Sequence, residues 1–160
     1  MPRMVSTPTM PVTSANLIEQ LAVAGDASAP FEEVWRALWN QPHVPAATLE
    51  LCRLNLARLH RADAELKLRM PLAPHAKVSE EQIASLLREN WMKDPLFTEA
   101  ERAVLNFSEW YHVNPQGIPD GVADEVIKHL GQSGYVALIE ALGFIDGRIR
   151  VALIYSRMQD

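Results

Sequence analysis

Few side chains in this sequence have the type and spacing that chemistry needs. Cys52 is the only cysteine in 160 residues, so neither an intramolecular disulfide nor a dithiol couple is open to the chain. It lies in an apolar run at mid-helix, where a free thiol behaves as a small hydrophobe. The histidines are His43, His60, His75, His112 and His129. No two share the i, i+4 spacing that presents a ligand pair on one helix face, so the expectation is no metal and no organic cofactor. His112 and His129 sit near helix ends, where the helix dipole accounts for them. Glu65 and Arg69 are four apart, the spacing of an ordinary helix salt bridge with roughly 0.2–0.5 kcal/mol of support. Arg53, Arg58, Arg61, Lys67 and Arg69 form a light basic cluster, readable as a solvated face or as an anion contact. A Gly-rich phosphate loop and a strand-to-helix nucleophile turn are both absent.

Helices must position these residues, because no stretch alternates in the manner of a strand. Residues 1–15 carry three prolines and no period, which reads as a flexible arm or one that braces a neighbouring subunit. Asn16–Ala24 has helical spacing, and Pro30 fits the first turn of a helix reaching Asn40. On it Trp35 and Trp39 stand four apart, as a packed stripe or as an aromatic ligand wall. A strong helix runs from Ala46 to about His60. A short one, Ala64–Met70, follows and is stopped by Pro71.

Ser79-x-x-Gln82 and Thr98-x-x-Glu101 are capping boxes, the first with Val78 and Ile83 as its staple. The first opens a helix to about Lys93. The second opens a helix whose apolar face carries Val104, Phe107 and Tyr111. Pro119-Asp120 starts another, which Gly131 ends. Ser133–Met158 is apolar almost all round, the pattern of a central helix. Asp146 and Arg148 within it are expected to be paired, since semi-buried charges usually are. The reading is an all-α single domain over residues 16–160, with about seven helices.

Composition bounds the function. Apolar content of 48% with 22% charged residues suits a globular domain of this length, and a net charge of −5 argues against nucleic acid. Residues 1–16 hold no apolar stretch of signal-peptide length, and Tyr135–Ile154 is too charged for a membrane span. The expectation is a cytoplasmic protein without membrane contact.

The order of pieces carries a resemblance. The run Leu49–Leu59 is followed by His60-Arg61-Ala62-Asp63-Ala64-Glu65-Leu66-Lys67-Leu68-Arg69, then by Trp91–Thr98 and Glu101-Arg102-Ala103-Val104-Leu105. Over roughly residues 30–157 this resembles the alkylhydroperoxidase D and carboxymuconolactone decarboxylase superfamily. The peroxidases of that superfamily carry Cys-x-x-Cys-x-x-x-His where this chain has Ala62, Glu65 and Arg69, while Glu50 matches their relay glutamate. Neither replacement can form a sulfenic acid, which closes the thiol peroxidase route. Decarboxylase relatives often show Glu-Leu-x-Leu-His, and Glu65-Leu66-Lys67-Leu68-Arg69 matches all but the histidine. The resemblance implies cofactor-free lyase or isomerase chemistry on a small carboxylate or lactone. Arg69 would hold a carboxylate, and Glu50, Glu65 or His60 would be the acid or base. It also implies a homo-oligomer, a trimer or hexamer. A non-catalytic binding or scaffold subunit is the alternative, and a peroxidase-related protein without the activity is a third.

Overall fold

The computed structural model describes residues 11–69 and 77–157. Among them are seven α-helices and no strand. They are α1 (Ile18–Leu21), α2 (Ser28–Asn40), α3 (Ala46–Leu59), α4 (Asp63–Lys67), α5 (Glu80–Leu87), α6 (Glu99–Val113) and α7 (Asp120–Arg157). Among the described residues no helix is long and apolar enough to cross a membrane.

Local chemistry sets several boundaries. Ser79 and Thr98 each accept from the backbone N–H three residues on, and Gln82 and Glu101 return the bond, so both capping boxes form as expected. Val78 packs into the same cluster as Ile83. The ends of α3 and α5 share a second device. Ala62 N–H donates to the Ala57 carbonyl and Arg61 N–H to that of Arg58; Asn90 and Glu89 repeat the pattern onto Ser85 and Leu86. These are Schellman caps, with the left-handed position filled by Arg61 (φ 56°) and Glu89 (φ 58°) rather than glycine. The cap at Glu89 ends α5 at Leu87, short of the expected Lys93. Helix α4 also ends early, at Lys67, because Leu68 is extended. The expected stop at Met70 and Pro71 lies outside the described residues.

The central helix is α3, not the carboxy-terminal one. Every residue from Thr48 to Ala57 is buried, and α3, α6 and α7 pack on one another. Its polar residues disguise this in sequence, since Glu50, Arg53 and Asn55 resemble a solvated stripe. They are buried and satisfied internally, Asn55 by the Ser108 hydroxyl at 3.0 Å. Helix α7 keeps a wet side instead, with Val136, Ile139 and Ile154 exposed. Gly131 interrupts it at φ 71°, a backbone region that favours glycine. Trp35 and Trp39 are both buried, edge to face at 5.4 Å, in the main core with Leu49, Phe107 and Leu142.

The expected arm, residues 1–15, is described only from Pro11 onward. There it packs back onto its own chain, with Val12, Thr13 and Ser14 buried. Val12 joins Leu17 and Ala152 in a small cluster against α7.

Candidate functional site

The residues at the motif position are organised around Arg53. It projects from mid-α3 with no exposed surface. Its Nε and Nη2 donate to the two oxygens of Glu50 at 2.8 and 2.6 Å, and its Nη1 donates to Glu65 Oε2 at 2.9 Å. The same guanidinium also donates to the backbone carbonyls of Glu65 and Leu68, at 2.9 and 2.8 Å. Burial alone would weaken its charge. Glu50 and then Glu65 outweigh that and hold its pKa above the ordinary arginine value.

Glu65 is shared with the amino-terminal segment. The Ser14 N–H donates to Oε1 and the Ser14 hydroxyl to Oε2, the latter at 2.9 Å. The Ser14 carbonyl in turn accepts from Arg148 on α7. Arg148 donates on to Glu32 at 3.2 Å and lies 4.3 Å above the Trp35 ring. Burial holds its pKa down, against the opposing pull of Glu32 and Glu65. Three carboxylates and two guanidiniums thus form one network linking α2, α3, α4, α7 and the chain before α1. The expected pairing of Arg148 is found.

Arg69 stands apart from this network. Its side chain is 44% exposed and pairs with Glu80 at 3.1 Å, which keeps the Glu80 carboxyl below its ordinary value. The expected Glu65–Arg69 bridge does not form, because α4 ends at Lys67 and Glu65 turns inward to Arg53. The reading of Arg53 as part of a solvated basic face is corrected as well, since Arg53 is buried. Of the four candidate residues, Glu50 and Glu65 meet around Arg53, while Arg69 and His60 do not join them.

A cleft of about 220 Å³ opens over the motif positions. Its walls include Val12, Ala62 and Glu65 on one side and Ile149, Leu153 and Ser156 of α7 on the other. Asp63 also faces it, and among the described residues no cation does. A larger open groove, about 390 Å³, runs between α6 and the start of α7. Its Arg102 is already committed to the carbonyls of Asp94 and Phe97. The groove holds none of the four candidate residues.

His60 belongs to a different constellation. Its Nε2 lies 2.5 Å from Asp146 Oδ1, and its ring stands edge to face with His112 at 4.6 Å. Burial, and then the neighbouring His60, hold the His112 pKa below the ordinary histidine value, against the pull of Asp146. Sequence spacing missed this group because its members come from three different elements.

Cys52 is fully buried in the main core, and burial pushes its thiol pKa up to about 12. That is the opposite of thiolate activation. No protein-family model and no curated protein matches this sequence.

Proposed function

We propose that this chain is a protein of the alkylhydroperoxidase D and carboxymuconolactone decarboxylase kind that lacks the Cys-x-x-Cys motif. Its cleft over Ala62 and Glu65 receives a small lactone-like molecule for lyase or isomerase chemistry. One observation carries the reading: the cleft lies where the resemblance puts the peroxidase cysteines, above a buried Glu50–Arg53–Glu65 core. Its volume falls below the ~300–1,000 Å³ of drug-sized sites, which restricts the occupant to a small molecule.

The charge of the walls chooses between the two substrate classes. Asp63 and Glu65 face the space, no cation among the described residues lines it, and the single charge of Arg53 is already shared between Glu50 and Glu65, so a carboxylate would meet net like charge at short range. A neutral lactone ring, with apolar contacts to Ile149 and Leu153, fits better. Arg69 is held by Glu80 outside the cleft and does not serve as the clamp. Glu65 is the buried carboxylate at the wall, and Asp63 is the exposed one.

The second reading is a non-catalytic binding subunit. It is favoured by the state of the two buried acids, since both oxygens of Glu50 and of Glu65 already accept hydrogen bonds. Neither carboxylate offers an occupant of the cleft an oxygen without a protein partner. A homo-oligomer accompanies either reading, built on the exposed apolar residues Val136, Ile139 and Ile154.

The discriminating experiment is a panel of five- and six-membered lactones assayed for ring opening, isomerisation or loss of carbon dioxide. Wild type is compared with Asp63→Asn and Ala152→Leu, the latter filling the cleft. Turnover lost in both variants supports the enzyme. Binding without turnover supports the subunit reading, and neither binding nor turnover removes the cleft from consideration.

A further inference from the structure

His60, His112 and Asp146 are brought together from the end of α3, the last turn of α6 and the middle of α7. Each offers one ligand atom, and those atoms all lie within 4.8 Å of one another. His60 Nε2 is 2.5 Å, and His112 Nδ1 3.9 Å, from the same Asp146 oxygen. The second Asp146 oxygen accepts from Arg150 Nε at 2.7 Å, which fixes the carboxylate plane. Most telling is His112 Nδ1, which is shielded from solvent and has no hydrogen-bond partner among the described residues. A buried ring nitrogen without a partner is uncommon, and here it points at a carboxylate already shared with a second imidazole.

We infer that His60, His112 and Asp146 form a binding site for a divalent transition-metal ion of the zinc type. Two imidazoles and one carboxylate make a borderline-soft donor set, unlike the all-oxygen shells of calcium and magnesium. Ligand atoms about 2.0–2.2 Å from a tetrahedral zinc ion stand roughly 3.3 Å apart. The two observed distances, 2.5 and 3.9 Å, fall on either side of that spacing. Seating the ion therefore needs the His60–Asp146 contact to widen and His112 to close in on Asp146, each by less than about 1 Å, and the two imidazole nitrogens, within 4.8 Å of each other, to approach by at most about 1.5 Å. The ion would tie α3, α6 and α7 together at one point. Three protein ligands also leave a fourth position for water or an exogenous ligand. Arg150 would remain on the free carboxylate oxygen as the outer partner that orients a ligating group. The site is separate from the cleft and does not depend on what the cleft binds.

The test uses the untagged full chain, stripped of metal and titrated with Zn²⁺ by calorimetry and with Co²⁺ by visible absorption. The expected results are one saturable site per chain, tetrahedral Co²⁺ bands and a melting temperature that rises with free zinc. His112→Gln removes a nitrogen without a hydrogen-bond partner, so the variant should fold as wild type does. Its affinity should fall by about 100-fold, at least the loss typical of disturbed metal shells. His60→Gln should give a comparable loss, and it decides the matter should His112→Gln fail to fold. Absence of saturable binding, or undiminished binding in both variants, would overturn the assignment.

Discussion

Arg53 Nη1 lies 2.9 Å from both the Oε2 and the backbone carbonyl oxygen of Glu65. One guanidinium on α3 therefore fixes the side chain and the main chain of the residue beside the cleft. The arrangement is costly to break. Removing Arg53 would leave Glu50 and Glu65 charged and buried against each other, with no cation between them. We expect Arg53→Ala to cost about 3–5 kcal/mol, the usual loss when one partner of a buried pair is deleted. Urea unfolding measures it. The combined change Glu50→Gln, Arg53→Met and Glu65→Gln should recover much of that loss, since it removes the charges together.

Ser14 is the next link. Its hydroxyl donates to Glu65 and its carbonyl accepts from Arg148. Ser14→Ala keeps the backbone contacts and deletes only the hydroxyl bond to a carboxylate. A loss of about 1.5 kcal/mol is expected, at the low end for a bond to a charged group. The same urea assay checks it, and hydrogen exchange of residues 11–17 should quicken. Unchanged exchange there would mean that Val12 and Leu17 hold the segment without help from Ser14.

The two Schellman caps predict a gain. Arg61 and Glu89 occupy left-handed backbone where a side chain is strained. Arg61→Gly and Glu89→Gly should each stabilise the protein by about 0.5–1 kcal/mol, after the greater chain entropy of unfolded glycine is counted. Thermal unfolding of the single and double variants would show it. A loss in either variant would mean that the side chain contributes more than the strain it carries.

Cys52 gives a pH prediction. Its thiol pKa is raised from 9.0 to about 12 in the folded protein. Below pH 9 the thiol is protonated in both states, and stability is unaffected by it. Above pH 9 the unfolded thiol ionises first, so stability should fall as pH rises toward 12, by at most about 1.4 kcal/mol per unit. Cys52→Ala should lose that part of the alkaline slope. Wild type should resist thiol reagents at pH 8 and show no peroxide turnover with a dithiol reductant.

How much of this was legible in sequence depended on the range of the interaction. The capping boxes at Ser79 and Thr98 were readable because each closes within four residues. The caps at Arg61 and Glu89 were not, since neither carries the glycine that marks a left-handed position. Glu65 was found as a site residue, but its partner was misassigned to Arg69. Helical spacing favours i, i+4, and nothing local says that α4 stops at Lys67 so that Glu65 can reach Arg53, 12 residues back. The burial of α3 was hidden by charges that pair with each other. His60 and Asp146 are 86 residues apart, beyond the reach of any spacing rule.

The occupant proposed for the cleft between Ala62–Glu65 and α7 is a small neutral molecule. The most direct test is an amide chemical-shift titration of the labelled protein with γ-butyrolactone and δ-valerolactone, beside the matching hydroxycarboxylates. Saturable shifts confined to residues 11–15, 62–66 and 149–156 are expected, produced by the lactones and not by the carboxylates, and abolished in Ala152→Leu. Shifts centred on Arg69 and Glu80, a preference for the carboxylates, or shifts that survive Ala152→Leu would contradict the proposal.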